Sequence, residues 1–293
     1  MIFANGLKNP EGPVSLADGS WLIVEGGADR GCITWISADG RMTRVVAKTG
    51  RPNGLAVDSA GAIWAAESKF PALLKVSFDG HVETVATGCD GEPFLFPNDL
   101  CFGPDGAIYM TDSGVVIDEF APNNSVREDF ESIDYDGRVY RIEPGSGRVA
   151  KLDSGIKFTN GIAFDSAKAL YANESVTGAV YRYAWSNEGV SSRREYFGNV
   201  VDPSLPKAYR GPDGMAFGLD GRLYVAVFGQ GDVTVLDASG RVAERIKTDG
   251  SLPTNIAFAR SGSKQIYVTE YESGTLQTFQ VACDGLPLWS GSA

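Results

Sequence analysis

PNDLCFGPDGAIYMTDSG, residues 97–114, is one of five renderings of a single phrase. The others are PNGLAVDSAGAIWAAES (52–68), TNGIAFDSAKALYANES (159–175), PDGMAFGLDGRLYVAVFG (212–229) and PTNIAFARSGSKQIYVTE (253–270), with a looser sixth copy, PEGPVSLADGSWLIVE, at 10–25. Aligned, they put Glu11, Asn53, Asn98, Asn160, Asp213 and Thr254 in one column, separated by 42, 45, 62, 53 and 41 residues. A recurrence of that length marks a stacked or toroidal repeat fold.

Within each unit an apolar strand such as GLAVD leads through a tight Ser-, Pro- or Asp-Gly-type turn into an aromatic-rich strand such as AIWAAES, which is the pattern of a hairpin. A third strand and a second turn follow, at Ala38-Asp39-Gly40, Phe78-Asp79-Gly80, Gly145-Ser146-Gly147 and Ala238-Ser239-Gly240, each leading into a fourth strand. Four antiparallel strands in each of six units predict an all-β six-bladed propeller, formed as one domain over residues 1–293. The short strand candidate Met1 to Ala4 precedes the first unit, so it is expected to complete the last blade and remove the edge that blade would otherwise expose.

In this topology the column residues gather at one mouth of the central channel. The link between second and third strands of the third unit, Gly114 to Asp136, emerges on the same face and is long enough to form a partial lid. Glu67, Asp112, Glu174 and Glu270 end second strands on that face and are read as solvated strand ends. Two carboxylates (Glu11, Asp213) and the amides of Asn160, Asn98 and Asn53 would crowd a narrow space. Like charges buried together raise each other's proton affinity, and a cation resolves the conflict. Oxygen donors alone favour a hard ion, Ca²⁺ first, with Mg²⁺, Mn²⁺ or Zn²⁺ as alternatives. Asn and Asp at repeat starts also serve as turn formers and local hydrogen bonders, which is the competing explanation for each one singly.

The chain has 293 residues and a net charge of −11. So acidic a balance argues against a nucleic-acid partner and against anionic membrane surfaces. No apolar run is long enough to span a bilayer, and MIFANGLKNPEG lacks the basic start and apolar core of a secretory signal, so a cytoplasmic location is expected. Cys32, Cys89, Cys101 and Cys283 form no CxxC pair; buried free thiols are expected, with Cys89 in a Gly-rich loop as the accessible exception. His81 is the only histidine and falls on an outer strand, so triad and multi-His zinc chemistry lack their parts. Phe228-Gly229-Gln230-Gly231 has no helix after it and reads as a turn rather than a phosphate cradle.

From EGP at Glu11 through PND at Asn98, TNGIAF at Asn160 and GPDGMAFGLDGRLYVA at Asp213, the chain resembles the senescence marker protein/gluconolactonase/luciferin-regenerating enzyme family. The resemblance implies a six-bladed propeller with one divalent cation in the channel and a small lactone or ester as substrate. It implies that Glu11, Asn160 and Asp213 hold the cation, that Asp213 is also the catalytic base, and that Asn98 orients substrate or adds a ligand; Asn53 is assigned a supporting hydrogen bond to substrate. Sugar-lactone members often carry Arg two positions before the residue matching Asn98, whereas this chain has Phe96, which with Phe94 suggests a more apolar wall. The related diisopropyl fluorophosphatase branch uses a similar quartet. Lactone hydrolysis, phosphotriester or other ester hydrolysis, and a non-catalytic propeller plugged by a metal therefore all fit the ring, and no motif speaks to oligomeric state.

Overall fold

The computed structural model describes residues 1–27, 29–122, 125–186, 189–191 and 193–291. Six four-stranded antiparallel sheets form the blades of a propeller. Their inner strands are Pro10–Ser15, Pro52–Val57, Pro97–Phe102, Thr159–Phe164, Gly211–Phe217 and Pro253–Phe258. Each pairs with a second strand that closely follows it, the first at Trp21–Glu25 and the last at Gln265–Glu270. The order of the sixth sheet confirms the expected closure: Ile2–Ala4 is its outermost strand, paired with Thr275–Gln280.

Apolar burial is divided among the interfaces between blades. Each of the six holds its own cluster, such as Leu22, Ile33, Leu55 and Leu74 between the first and second blades, or Ala172, Ile162, Val139 and Tyr109 between the third and fourth. Stability therefore resides between sheets, and the hub is left free for polar groups. The aromatic second strands extend this packing outward, and their polar ends bond back to the first turn: Trp64 Nε1 donates to Asp58 at 2.9 Å, and the hydroxyls of Tyr109 and Tyr171 donate to Asp105 and Asp165, both at 3.2 Å.

Ala4 is buried in the cluster joining the last blade to the first, and Phe3 meets Tyr267 edge-on at 4.9 Å. Deleting residues 1–4 is expected to cost roughly 2–4 kcal/mol of unfolding free energy from these side chains and the lost ladder. Guanidinium titration measures it, and a loss under about 0.5 kcal/mol, the size of an ordinary surface change, would show that the ring holds without this strand.

Two features were not anticipated. After Gln280 the chain crosses the face opposite the lid: Leu286 N donates to Phe217 O at 2.8 Å, Ser59 N donates to Ser290 O at 2.8 Å, and Trp289 bridges Phe102. The cysteine assignments also reverse. Cys89 is buried within the small hairpin Gly88–Cys89/Glu92–Pro93, because that loop folds back under Val149, whereas Cys101 is half-exposed to the channel. His81 is exposed, as its outer-strand position predicts. Among the described residues no helix is long and apolar enough to cross a membrane.

Candidate functional site

Five of the six inner strands break register where the column residue sits. In the second blade Pro52 pairs with Glu67 and Leu55 with Ala65, so Asn53 and Gly54 together face one residue; the same happens at Asn98-Asp99, Asn160-Gly161, Asp213-Gly214 and Thr254-Asn255. In the first blade the break falls one residue later, at Gly12-Pro13. A bulge re-aims the side chain it carries, and here it frees the column residues from the alternation of the strand.

Hydrogen bonds from the preceding blade then fix the column backbone. Thr111 Oγ1 donates to Asn160 O at 2.6 Å, Asn173 Nδ2 to Asp213 O at 2.6 Å, Ser175 Oγ to Pro212 O at 2.6 Å, and Thr254 Oγ1 to Pro10 O at 2.9 Å. The acids ending the second strands are not solvated, contrary to the sequence reading. Glu25, Glu67, Asp112, Glu174 and Glu270 are buried, and their carboxylates accept the backbone N–H groups of Lys8, Arg51, Leu95, Lys157 and Leu252, which lie just ahead of the column residues. Strand alternation could not reveal this, because the loop that supplies the donors closes over them only in the folded ring. The fifth blade has Phe228 at the corresponding position, so the loop leading to Asp213 is tied instead by Asp202 N to Gln230 Oε1 at 2.8 Å.

Glu11, Asn160 and Asp213 converge at the hub. The Asp213 carboxyl lies against the Glu11 carboxyl and the Asn160 amide. Glu11 Oε2 also accepts Gly12 N at 2.6 Å and Asn255 Nδ2 at 3.1 Å. Burial, then the neighbouring Asp99, pushes Glu11 up to about 8, and burial, then Glu11, pushes Asp213 well above the carboxylate range. Among the described residues no Arg, Lys or His forms an ion pair with either acid. Asn98 donates its Nδ2 to Ser113 Oγ at 3.0 Å, while the Oδ1 atoms of Asn98 and Asn160 are buried and accept no hydrogen bond. Asn53 is half-buried.

One residue past the column lies a second ring that the sequence reading missed: Gly12, Gly54, Asp99, Gly161, Gly214 and Asn255. Asp99 is buried, accepts Leu100 N at 2.9 Å, lies against Asn255 and is pushed up to about 7 by that burial. The glycines make room for the two larger members. A Cβ on Gly54 would fall 2.6 Å from Asp99 Oδ1, and one on Gly214 would fall 1.9 Å from Asn255 Cγ. Because Asn255 Oδ1 also accepts Ile256 N at 2.7 Å, it has no free direction of retreat. Gly214→Ala is therefore expected to cost about 1–3 kcal/mol by overpacking, read by urea unfolding. An unchanged midpoint would mean that Asn255 can move after all.

Above the hub, Gly114 to Asp136 packs an aromatic group onto the mouth. Phe120 lies 4.3 Å from Phe158 and 5.3 Å from Tyr209, Phe130 lies 5.1 Å from Tyr209, and Phe96 meets Phe158 edge-on at 5.8 Å. Phe96 thus forms apolar wall, as expected, whereas Phe94 turns away to pack on Tyr140. The guanidinium of Arg51 sits 5.7 Å from the centre of the Phe96 ring, so a cation stands at the mouth one blade away from the expected position.

Oxygen atoms, two of them orphaned and two carried by acids that cannot both ionise unaided, suit a hard divalent cation. No trio of His, Cys, Asp or Glu forms a cage among the described residues, so amide oxygens must complete any such seat.

The sequence profile of the SMP-30/Gluconolactonase/LRE-like region matches residues 10–272. A gluconolactonase of Zymomonas mobilis is 25% identical over 279 residues, 89% of this chain and 76% of that relative. A diisopropyl-fluorophosphatase of Loligo vulgaris is 26% identical over 293 aligned positions, 94% of this chain and 89% of the relative. Among solved structures, the calcium-binding protein regucalcin from Agrobacterium tumefaciens superposes with a TM-score of 0.77 at 18% identity, covering 99% of this chain and 95% of the other, a likeness of fold.

Proposed function

Because the chain belongs to the SMP-30/gluconolactonase/LRE-like family, we propose that it opens the ring of a small lactone, with Asp213 as base and Glu11, Asn160 and Asp213 as the seat of a divalent cation, Ca²⁺ first. The observation that carries this reading is the buried Glu11–Asp213 carboxyl pair beside the orphaned carbonyl oxygens of Asn98 and Asn160. A bound divalent cation would supply a Lewis acid that polarises the ester carbonyl and stabilises the charge developing on its oxygen.

The remaining steps belong to the chain's own residues. As water oxygen bonds to the lactone carbonyl carbon, Asp213 accepts the water proton; when the bond from that carbon to the ring oxygen breaks, Asp213 returns the proton to the departing oxygen. One lactone and one water give one hydroxy acid. An ordinary Asp is a weak base at neutral pH, and a bound cation would weaken it further, so the contribution of Asp213 must come largely from where it holds the water. Asn98, anchored through its Nδ2 to Ser113, offers its free Oδ1 to a substrate hydroxyl. Phe120, Phe158 and Tyr209 exclude bulk water, which strengthens each polar contact beneath them. Arg51, with its backbone N–H held by Glu67, offers a cation to a polar or anionic substituent of the ring.

The test is a panel of five- and six-membered lactones, aryl esters and a fluorophosphate, assayed with Ca²⁺ and with chelator. Lactone turnover that falls at least about 100-fold in chelator and returns with Ca²⁺ is expected. Turnover of the fluorophosphate alone would replace this reading with the phosphotriesterase one, to which the squid relative lends support. Metal-dependent melting with no turnover of any ester would leave a binding propeller.

A further inference from the structure

A cavity of about 550 Å³ lies below the hub, on the face opposite the lid. Its wall is built by the residues three positions past the column: Val14, Ala56, Cys101, Ala163, Ala216 and Ala257. Five of these six side chains are Ala or Cys, so the six inner strands surround open space instead of filling it. Asp99 and Asn255 line its inner end, where Asn255 Nδ2 donates to Glu11 Oε2 at 3.1 Å. The floor is the crossing segment near Leu286 to Ser290, and it leaves Leu288 79% and Trp289 40% exposed, with Leu219 beside them at 57%. An apolar chamber of this size is in the range of small-molecule sites, about 300–1,000 Å³, and a space walled by methyl groups is poorly hydrated.

Charge sets the orientation of an occupant. Arg260 stands at the rim, where its Nη1 donates to the carbonyl of Ala17 over a long 3.4 Å. No carboxylate comes within ion-pair distance of it among the described residues; Asp18 feels its charge from farther off and bonds the backbone N–H and hydroxyl of Ser20 through Oδ1. In a chain with 37 acids to 26 bases, an unpaired guanidinium at the mouth of an apolar chamber favours an anionic group there.

We propose that the lower chamber binds an amphipathic carboxylate, a molecule with a medium-length alkyl or compact aryl body lying among the alanines and its carboxylate held at the rim by Arg260. The site is separate from the hub and does not depend on what the hub catalyses. It lies on the face away from the lid, so the two ligands would enter from opposite sides of the ring.

Dodecanoate, below its micelle concentration, titrated calorimetrically into the full chain tests the proposal, with dodecanol as the neutral counterpart. Saturable binding of one dodecanoate per chain is expected, with dodecanol at least tenfold weaker. Arg260→Gln, on the exposed rim, should weaken dodecanoate about tenfold and leave dodecanol unchanged. Ala216→Phe, which fills the chamber, should abolish both. Absence of saturable binding, equal affinity for dodecanoate and dodecanol, or binding that neither variant changes would overturn the proposal. Should Ala216→Phe fail to fold, the Arg260→Gln comparison decides alone.

Discussion

Asp213→Asn is expected to lose roughly a thousandfold of lactone turnover while melting higher than the parent protein when divalent cations are chelated. The two effects have one source. Asp213 is buried against Glu11 with no cationic side chain among the described residues to offset either, so the pair is unfavourable to the fold and useful to the reaction. Loss of a positioned general base costs about 10²–10⁴ in rate. The amide cannot take a proton, yet it keeps the shape of the carboxylate and can still bond Glu11 and Asn160. Removing one member of a like-charged pair should return about 0.5–2 kcal/mol, the usual gain when a functional site is relaxed. Turnover on the lactone panel and thermal melts in chelator measure both arms. Parent-level turnover would remove Asp213 from the proposed mechanism, and a lower melting point would show that the pair is not under tension.

The cation-free protein should lose stability as pH rises, and Ca²⁺ should reverse the trend. Glu11 has a folded-state value of about 8 against an ordinary 4.5, and Asp99 about 7 against 3.8. Below the ordinary values both states of the chain hold these protons and the favourable contribution is complete. Between the ordinary and the raised values the folded chain keeps protons that the unfolded chain has released, so each such group removes about 1.4 kcal/mol per pH unit until its raised value is passed. Chelated protein should therefore melt highest near pH 4–5 and fall through pH 8. A ligand that binds only the folded state adds about 2.7 kcal/mol at a hundredfold excess over its dissociation constant. Because a cation competes with the protons, that increment should be large at pH 8 and small at pH 5. Thermal melts from pH 4.5 to 8.5 with chelator and with Ca²⁺ test this directly. A Ca²⁺ increment independent of pH would mean that the ion binds elsewhere than on these carboxyls.

The ring of blades was legible because its signals are local and repeated: one column, two turns and one aromatic strand per unit. The convergence of Glu11, Asn160 and Asp213 followed from topology once the column was aligned, since residues at equivalent points of a closed ring must meet at its axis. Asp99 and Asn255 were harder to see. Four glycines occupy their ring, and nothing in a sequence says that an absent Cβ in one blade is the space taken by a side chain from the next. The buried second-strand carboxylates were misread for a related reason: strand periodicity reports which face a residue occupies but not whether a loop folds back over its end. Arg51 escaped notice because its partner, the Phe96 ring, comes from the neighbouring blade.

The sheet that unites Ile2–Ala4 with Thr275–Gln280 also sets an order of events during synthesis. Ile2–Ala4 is made long before its partner strand and waits for it, and the blades cannot become a circle until the last of them has been released. Contacts so distant in sequence make for slow folding. The nascent chain must meanwhile carry an unpaired edge that invites association, so the pairing that protects the finished wheel is what leaves its precursor exposed.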